Sequence, residues 1–392
     1  MFQQFAETHQ AYLSQWYLQT PVVVTAERYK ELQGVQELLM RAIGYFIRHY
    51  ADYQYIFLLT ENIRRIMEIC RPYPYRIGTY RPDFLIEADG QLRICEIGAR
   101  FPLNGYFLSG IAEYIGQCRF PYQSYLEQPE YNRFLDYLLA YWGNPRHLYV
   151  LKGNDRPCDI KYYIPFFEAW GIKTVVVTPE QVADLPDLAG ACVVNELNQM
   201  EMERMDNNTL ENIAAANALN DMRTIFLIHD KRFLAVLSDP AFLAHCLTKE
   251  EIARLTPFLI PTYTAIQAPD VWEEARKNKE EWVLKHALLG KSEQVYTGRT
   301  CDREEWEALF APSVREAMVL QPFIHQKRIR STIGGQAYHD YVVGTLLCFD
   351  HYFFGTGLFR ASSFEITNRT DDRKMAPCFT DDYAGYHNPF IL

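Results

Sequence analysis

Residues 146–196 alternate between strand patterns and helix patterns, and this alternation constrains the fold more than any other feature of the sequence. RHLYVLKG, IKTVVVTP and ACVVNEL have the apolar character of strands, whereas DIKYYIPFFEAWG and EQVADLP between them are typical of helices. Parallel strands need crossover connections of this kind, because a tight turn cannot join them. We therefore predict a small parallel sheet with helices on its faces, within a fold of the α/β (α+β) class.

The segments on either side have other patterns. Residues 1–70 have apolar positions at helical spacing, as in AERYKELQGVQELLMRAIGYFIRHYADY, and we predict helices there. Residues 209–247 also have helical patterns. From EEWVLKHALLGKSEQVY onward, short apolar runs alternate with turns, which predicts antiparallel sheet with a covering helix. We predict domain limits at 1–145, 146–235 and 236–392.

Charge and cysteine content limit the classes of partner. The formal net charge of −10 over 392 residues argues against nucleic acid, which requires a basic face. The nine cysteines include no CxxC pair and no zinc-ligand spacing, so reduced thiols in a cytosol are expected. The N-terminus has no secretory signal pattern, and no apolar run reaches the roughly 18 residues of a membrane span. We predict a soluble, cytoplasmic protein without membrane partners.

The stretch RPDFLIEADGQLRICEIGARFP, residues 81–102, predicts a hairpin that turns at its Asp-Gly pair. Asp83 and Glu96 can face each other across this hairpin, as two carboxylates that bind Mg²⁺ would. Arg81 lies one pleat from Asp83 and can contact a phosphate held by that metal. A solvated face explains Arg81 or Asp83 singly, but it explains Glu96 less well because that carboxylate interrupts an apolar strand.

The turn in VLKHALLGKSEQVYTGR is a candidate phosphate site. Lys285 lies in a strand, and Gly290, Lys291 and Ser292 form a turn in which backbone N–H groups can approach a phosphate. The spacing differs from that of a Walker P-loop. An exposed turn with solvated lysines is the alternative interpretation.

Two further segments have candidate nucleotide contacts. MVLQPFIHQ contains Gln321, Pro322, Phe323 and Ile324, which can border an adenine ring if this segment is a hinge and not simply a core strand. Arg360 follows a pair of glycines in YFFGTGLFRA. Its guanidinium can stabilise charge on a transferring phosphoryl group, or it can pair with a surface carboxylate.

Together these segments resemble the ATP-grasp ligases, specifically the circularly permuted branch that includes the glutathionylspermidine synthetase-like proteins. In that branch, R-x-D, a hairpin and E-x-N-x-x-x-x-P carry the metal-binding carboxylates. This sequence has Arg81-Pro-Asp83, ADGQ and Glu96-Ile-Gly98-Ala-Arg-Phe-Pro102, so a glycine stands where the branch usually has asparagine. The later part, with Lys285, LLGKSEQV, VLQPF and VVG…GTGLFRAS, looks like its phosphate-covering lobe.

The resemblance implies an ATP-dependent ligase that uses Mg²⁺ and forms an amide through an acyl phosphate. Asp83 and Glu96 would then be the metal ligands, and Arg81 and Arg360 would stabilise the transferring phosphoryl group. The other nucleotide contacts would come from the phosphate turn and the hinge, namely Lys285, Gly290, Lys291, Ser292, Gln321, Pro322, Phe323 and Ile324. Residues 236–392 would form the nucleotide lobe, with antiparallel sheets around the nucleotide.

The substrates that the resemblance implies are a small carboxylate and an amine. Residues 146–235 would be a substrate domain like the pre-ATP-grasp domain, and candidate contacts there and nearby are Arg100, Lys152, Gly153 and Asn154. Two alternatives stay open, a phosphotransferase on the same scaffold and a protein that binds nucleotide without catalysis. The ring-rich composition would also permit a homodimer.

Overall fold

The computed structural model describes residues 7–8, 15–120, 122–154, 159–290, 292–367, 370–386 and 388–392. The strands in these ranges are β1 (Val22–Val24), β2 (Thr79–Ile86), β3 (Leu92–Gly98), β4 (His147–Lys152), β5 (Lys173–Val177), β6 (Cys192–Glu196), β7 (Asn217–Leu219), β8 (Trp282–His286), β9 (Val295–Thr297), β10 (Met318–Pro322), β11 (Arg328–Ile333), β12 (Gln336–Phe349), β13 (Tyr352–Thr356), β14 (Phe359–Ser362), β15 (Arg373–Met375), β16 (Pro377–Phe379) and β17 (Phe390–Ile391).

The α-helices are α1 (Ala26–His49), α2 (Glu61–Cys70), α3 (Tyr106–Arg119), α4 (Glu130–Tyr141), α5 (Ile160–Ala169), α6 (Gln199–Glu203), α7 (Asn207–Ala215), α8 (Arg232–Leu237), α9 (Pro240–Cys246), α10 (Lys249–Leu255), α11 (Pro269–Lys277), α12 (Arg303–Ala308) and α13 (Pro312–Arg315). Short 3₁₀ helices occupy Tyr50–Tyr53, Pro179–Asp184, Thr256–Phe258 and Lys279–Glu281, and Thr224–Ile228 is a π-helix. Within the described ranges, no helix is both long and apolar enough to cross a membrane.

The largest sheet joins the carboxylate hairpin to strands from the far end of the chain. Its antiparallel order is β15-β14-β12-β2-β3, and β11 and β13 pair with β12 as well. The hairpin β2–β3 is confirmed, with the Asp-Gly turn between its strands. Because β2 lies between β3 and β12, Asp83 is opposite Thr345 of β12, and β12 also pairs with β14, which contains Arg360.

The parallel sheet is also confirmed, and it has one strand more than the sequence pattern suggested. Its order is β5-β4-β6-β7, with every pair parallel. The fourth strand, Asn217–Leu219, lies within residues that we predicted to be helical. Three residues of strand in parallel pairing leave no alternating pattern, so the neighbouring helical sequence obscured it.

Residues 282–322 form a separate three-stranded antiparallel sheet in the order β10-β8-β9. Trp306 of α12 and Trp272 of α11 pack on it, in a small apolar core with Leu284 and Leu320. The predicted covering helix over 303–314 is therefore confirmed, although it is divided into two short helices.

The prediction that residues 1–70 are helical is wrong at Val22–Val24, and its part over residues 1–6 and 9–14 lies outside the described residues. Val22–Val24 is a buried strand, and it pairs in parallel with both Pro377–Phe379 and Phe390–Ile391. Thr25 then caps α1 by accepting the N–H of Arg28, so the helix begins directly after the strand. Strands from the early and late parts of the sequence consequently pair in one sheet.

Candidate active site

A cleft of about 190 Å³ lies between the carboxylate hairpin and the three-stranded sheet. Many of the site residues predicted from the sequence line it, namely Arg81, Asp83, Glu96, Arg100, Lys285, Gly290, Ser292, Gln321, Pro322, Phe323, Ile324 and Arg360. Lys291, the remaining residue of the predicted phosphate turn, lies outside the described residues. Side chains from two chain segments nearly 190 residues apart thus meet, as shown by the 3.3 Å hydrogen bond from Lys285 Nζ to the Cys95 carbonyl.

The two carboxylates of the hairpin are direct partners across it. Asp83 pairs with Glu96 in the strand register, and the pairing shifts immediately afterwards, so that Phe84 is opposite Ile94 and Cys95 is the extra residue of a bulge. A bulge changes the direction of the side chains beside it and is common near active sites. Asp83 is 9% exposed, and its Oδ1 atom is buried without a hydrogen-bond partner among the described residues.

Two glycines make room for the guanidinium of Arg81. A Cβ atom on Gly98 would lie 3.1 Å from Arg81 Nη2, and one on Gly105 would lie 2.5 Å from Nη1. Gly105 also has a positive φ of 90°, a conformation that glycine adopts without strain. A side chain at position 98 would therefore have to displace the Arg81 guanidinium by a few tenths of an ångström.

Lysines surround Glu96. Lys231, whose side chain is 2% exposed, places its Nζ atom 3.4 Å from Glu96 Oε2, and it also donates to the Leu289 carbonyl. Lys285 approaches from the other side through its contact with the Cys95 carbonyl. The cleft therefore concentrates positive charge around one carboxylate, although the chain as a whole is acidic.

The two carboxylates differ in acidity. Burial is the largest influence on Asp83 and raises its pKa, while Arg81 lowers it less. Burial also acts to raise the pKa of Glu96, but Lys231 and Lys285 outweigh that effect and lower it to about 2. Glu96 is therefore ionised throughout the physiological range, and it is the more available of the two as an anionic ligand.

Apolar side chains line much of the cleft, among them Phe323 and Ile324 of the predicted hinge. Others are Leu85, Ile260, Val283, Val295, Val343 and Ile366. Gln321 is buried, and its side-chain amide donates to the hydroxyl of Thr262 at 2.9 Å. The Arg299 guanidinium lies 4.0 Å from the centre of the Phe323 ring. An apolar slot with a few polar groups at its border is suited to a flat heterocycle.

The phosphate turn lies against the C-terminal part of the chain. Ser292 has a positive φ of 60°, and its hydroxyl donates to the Thr367 carbonyl at 2.7 Å. Gly290 has no atom within 4 Å of the position that a Cβ would take, so a ligand can approach its backbone closely. Both residues line the cleft.

Sequence reasoning missed two residues of the cleft region, His229 and Lys231. They follow the π-helix Thr224–Ile228, in which the His229 N–H bonds to the Thr224 carbonyl, five residues earlier. A π-helical turn shifts the residues after it relative to an α-helix, and such turns are frequent at functional sites. The signal in the sequence was HDKR, four polar residues between the apolar runs TIFLI and FLAVL.

The residues predicted for the substrate domain lie elsewhere. Lys152 ends β4, and Gly153 and Asn154 follow it at the carboxyl edge of the parallel sheet. None of the three is among the residues that line the cleft. The Asn154 N–H donates to the Glu201 carboxylate at 2.7 Å, and the Gly153 N–H donates to the Glu196 carbonyl at 3.2 Å. These bonds hold the segment against α6.

The carboxylates at the hairpin could supply some of the ligands of a Mg²⁺ ion, but not all of them. No group of three or more His, Cys, Asp and Glu side chains within the described ranges is arranged to hold a metal ion. Mg²⁺ bound beside nucleotide needs only one or two protein carboxylates, because phosphates and waters complete its coordination. The unpartnered oxygen of Asp83 and the ionised Glu96 match that smaller requirement.

Two comparisons of the sequence with known proteins found similarities. The family model of the AnkG N-terminal domain matches residues 36–227, which include the hairpin and the parallel sheet. The chain is 23% identical to the "ATP-grasp enzyme ankG" of Aspergillus thermomutatus over 418 aligned positions, which cover 89% of this chain and 85% of that protein.

A solved structure extends the likeness to the fold. The apo form of a glutathione synthetase-like effector from Globodera pallida superposes with a TM-score of 0.58 at 13% sequence identity, covering 96% of each chain. This chain thus has a glutathione synthetase-like fold and is similar in sequence to an ATP-grasp enzyme.

Proposed function

We propose that this protein is an ATP-dependent ligase that joins a small carboxylate to an amine through an acyl phosphate, on a circularly permuted ATP-grasp core. One observation carries the proposal: the cleft combines the paired carboxylates Asp83 and Glu96 with Lys285 from a distant strand. Carboxylates that bind a cation and lysines that bind phosphate are the groups that phosphoryl transfer requires together. The likeness to an ATP-grasp enzyme supports the same chemistry.

In this proposal the nucleotide lies along the cleft from the hinge to the hairpin. The adenine occupies the apolar end, bordered by Gln321, Pro322, Phe323 and Ile324. The phosphates extend toward Lys285 and toward the backbone of Gly290 and Ser292, and Lys231, which the sequence did not reveal, adds a cation beside them. This orientation is chosen because Phe323 and Ile324 of the hinge are apolar, whereas Lys285 is cationic and the backbone of Gly290 is open to a ligand.

Asp83 and Glu96 would hold Mg²⁺ against the phosphates. A bound Mg²⁺ neutralises charge on the phosphate oxygens. Lys231 and Lys285 keep Glu96 ionised, and the neighbouring Arg81 limits the rise in the pKa of Asp83.

The reaction has two steps. A carboxylate oxygen of the first substrate attacks the γ-phosphorus, the bond to the β-phosphate oxygen breaks, and ADP leaves. The amine nitrogen then attacks the acyl carbon, phosphate departs with the former carboxylate oxygen, and the nitrogen loses a proton. Arg81 and Arg360 would stabilise the negative charge on the transferring phosphoryl group and on the acyl phosphate.

Trapping the acyl phosphate tests this function without knowledge of the amine. Hydroxylamine converts an acyl phosphate to a hydroxamate and releases phosphate, so the enzyme with Mg·ATP is screened against acetate, succinate, L-aspartate, L-glutamate and citrate. We expect hydroxamate and ADP in equal amounts with one or more of these acids. Lys285→Ala should abolish both, whereas Lys277→Ala, on the exposed face of α11, should not. Nucleotide binding without hydroxamate or ADP would favour a non-catalytic binding protein.

A further inference from the structure

His229 is held in a single tautomer by the backbone of the hairpin. The Ala99 N–H donates to His229 Nδ1 at 3.3 Å, so Nδ1 must carry the lone pair. In a neutral imidazole the proton then resides on Nε2. Burial and the nearby cations Arg100 and Lys231 lower the pKa of His229 to about 3, which keeps the ring neutral at physiological pH.

The Nε2–H group of His229 has no acceptor among the described residues. His229 lines the cleft, and its Nε2 atom is buried without a hydrogen-bond partner there. A buried donor that lacks an acceptor costs about 1–3 kcal/mol. An acceptor atom of a ligand in this part of the cleft would satisfy the group and recover that cost.

The ring lies beyond the proposed phosphate site. Lys285 contacts the carbonyl of Cys95 in β3, and His229 contacts the N–H of Ala99, the residue directly after the end of β3. At the rise of an extended chain, four residues span at most about 13 Å. Phosphoryl transfer requires the attacking group in line with the leaving group, on the side of the γ-phosphate away from ADP. The end at His229 is therefore on the side from which the first substrate must approach.

Two guanidinium groups and an amide lie near this end of the cleft, and the Glu96 carboxylate also acts on His229. Arg100 follows Ala99, its guanidinium lies 4.5 Å from the centre of the Phe101 ring, and Asn104 lines the cleft beside it. Arg81 is close enough to His229 to lower its pKa. Two guanidinium groups, an amide and a neutral N–H suit an anion with several oxygen acceptors, and they do not suit an ammonium group.

We propose that His229, together with Arg100 and Asn104, forms the subsite for the carboxylate substrate, with His229 Nε2–H donating to a carboxylate oxygen. This inference rests on the proposed function for the identity of the reaction. It adds a substrate-binding residue and assigns the anionic substrate, not the amine, to this end of the cleft.

Nitrogen-15 NMR spectra of the histidine side chains test the subsite directly. The protein labelled with [¹⁵N]histidine and saturated with Mg·AMP-PNP is titrated with acetate, succinate, L-aspartate, L-glutamate and citrate, and separately with putrescine and inorganic phosphate. We expect a carboxylate to shift the Nε2–H signal of His229, with no response to putrescine. His286 is the internal control, because its Nδ1 atom also accepts a backbone N–H, that of Leu288. His286 is not among the residues that line the cleft.

The outcomes separate this subsite from the proposed function. No response to any of the acids, a response to putrescine, or a response to phosphate equal to that of the best acid would overturn the subsite. Failure of Mg·AMP-PNP to bind, with the carboxylate response intact, would overturn the nucleotide proposal and leave the subsite standing.

Variants at position 229 give a second test. His229→Leu removes the donor, whereas His229→Gln keeps an N–H at a similar distance from the backbone. With an acid that yields hydroxamate, His229→Leu should raise the KM for that acid about tenfold, the effect of one hydrogen bond. The KM for Mg·ATP should change less than about twofold, and His229→Gln should recover most of the loss. Equal increases in both KM values would contradict the assignment.

Discussion

The buried pair of Lys231 and Glu96 provides a prediction with a magnitude that follows from the structure. The two charged atoms are 3.4 Å apart, and the side chain of Lys231 is 2% exposed while that of Glu96 is 33% exposed. The pKa of Glu96 is lowered from 4.5 to about 2. This shift corresponds to about 3 kcal/mol. Because Lys285 and His229 share in lowering the pKa, and water screens the exposed part of Glu96, about 1–2 kcal/mol remains for the pair with Lys231.

The pair is measured with a double-mutant cycle of Lys231→Met, Glu96→Gln and the combined variant. At pH 7 we expect a coupling of about 1–2 kcal/mol in the free energy of unfolding. The combined variant should be more stable than Lys231→Met alone, because that single change leaves a carboxylate without its cation. Since the folded pKa lies below the unfolded value, the contribution is complete above pH 4.5 and is lost as the pH falls toward 2.

Urea denaturation followed by tryptophan fluorescence and far-UV circular dichroism supplies the free energies, provided that the two transitions coincide. The exposed pair of Arg71 and Glu68 is a matched control, with side chains 75% and 54% exposed, and its coupling should stay below about 0.5 kcal/mol. A coupling at Lys231 and Glu96 no larger than that of the control would refute the electrostatic account of the cleft.

Three further changes have defined outcomes. Gly98→Asn places a side chain against the Arg81 guanidinium, so the rate of ADP release with Mg·ATP and the active acid should fall at least about tenfold. The circular dichroism spectrum should stay unchanged. An unchanged rate would contradict the packing argument. Glu196→Gln should stabilise the protein by more than about 1 kcal/mol at pH 9 and by little at pH 5. Burial raises the pKa of Glu196 to about 8, so ionisation of this carboxyl above its ordinary pKa opposes folding. An equal effect on stability at both pH values would count against this prediction. Lys285→Ala should weaken Mg·AMP-PNP binding at least about tenfold in calorimetry, and unaltered affinity would remove Lys285 from the phosphate site.

Local pattern was enough to predict the elements that contain the candidate site. The hairpin was recognisable from two apolar runs around an Asp-Gly turn, and the parallel sheet from its alternation of strands and helices. Strands β8, β10 and β12 were recognisable because each contains at least three consecutive apolar residues. The hairpin and each single strand have signals that lie within about twenty residues of sequence.

The features that were missed depend on contacts between distant residues. Val22–Val24 is a strand only because Pro377–Phe379 and Phe390–Ile391 pair with it, more than 350 residues away. His229 and Lys231 reach the cleft region because a π-helix shifts the residues after it, and an apolar run such as TIFLI is equally compatible with an α-helix. Tertiary packing decided each of these cases.

The most direct test of the central claim is calorimetric titration of AMP-PNP into the protein, with Mg²⁺ and with chelator, for the native chain, Asp83→Asn and Asp89→Asn. Asp89 is the control, because it lies in the exposed turn of the same hairpin, where it accepts the Gln91 N–H. We predict that AMP-PNP binding depends on Mg²⁺. Asp83→Asn should weaken the affinity at least about tenfold in Mg²⁺ and less than about twofold in chelator. Asp89→Asn should bind as the native chain does. Binding that is indifferent to Mg²⁺, or equally weakened by Asp83→Asn under both conditions, would contradict the central claim.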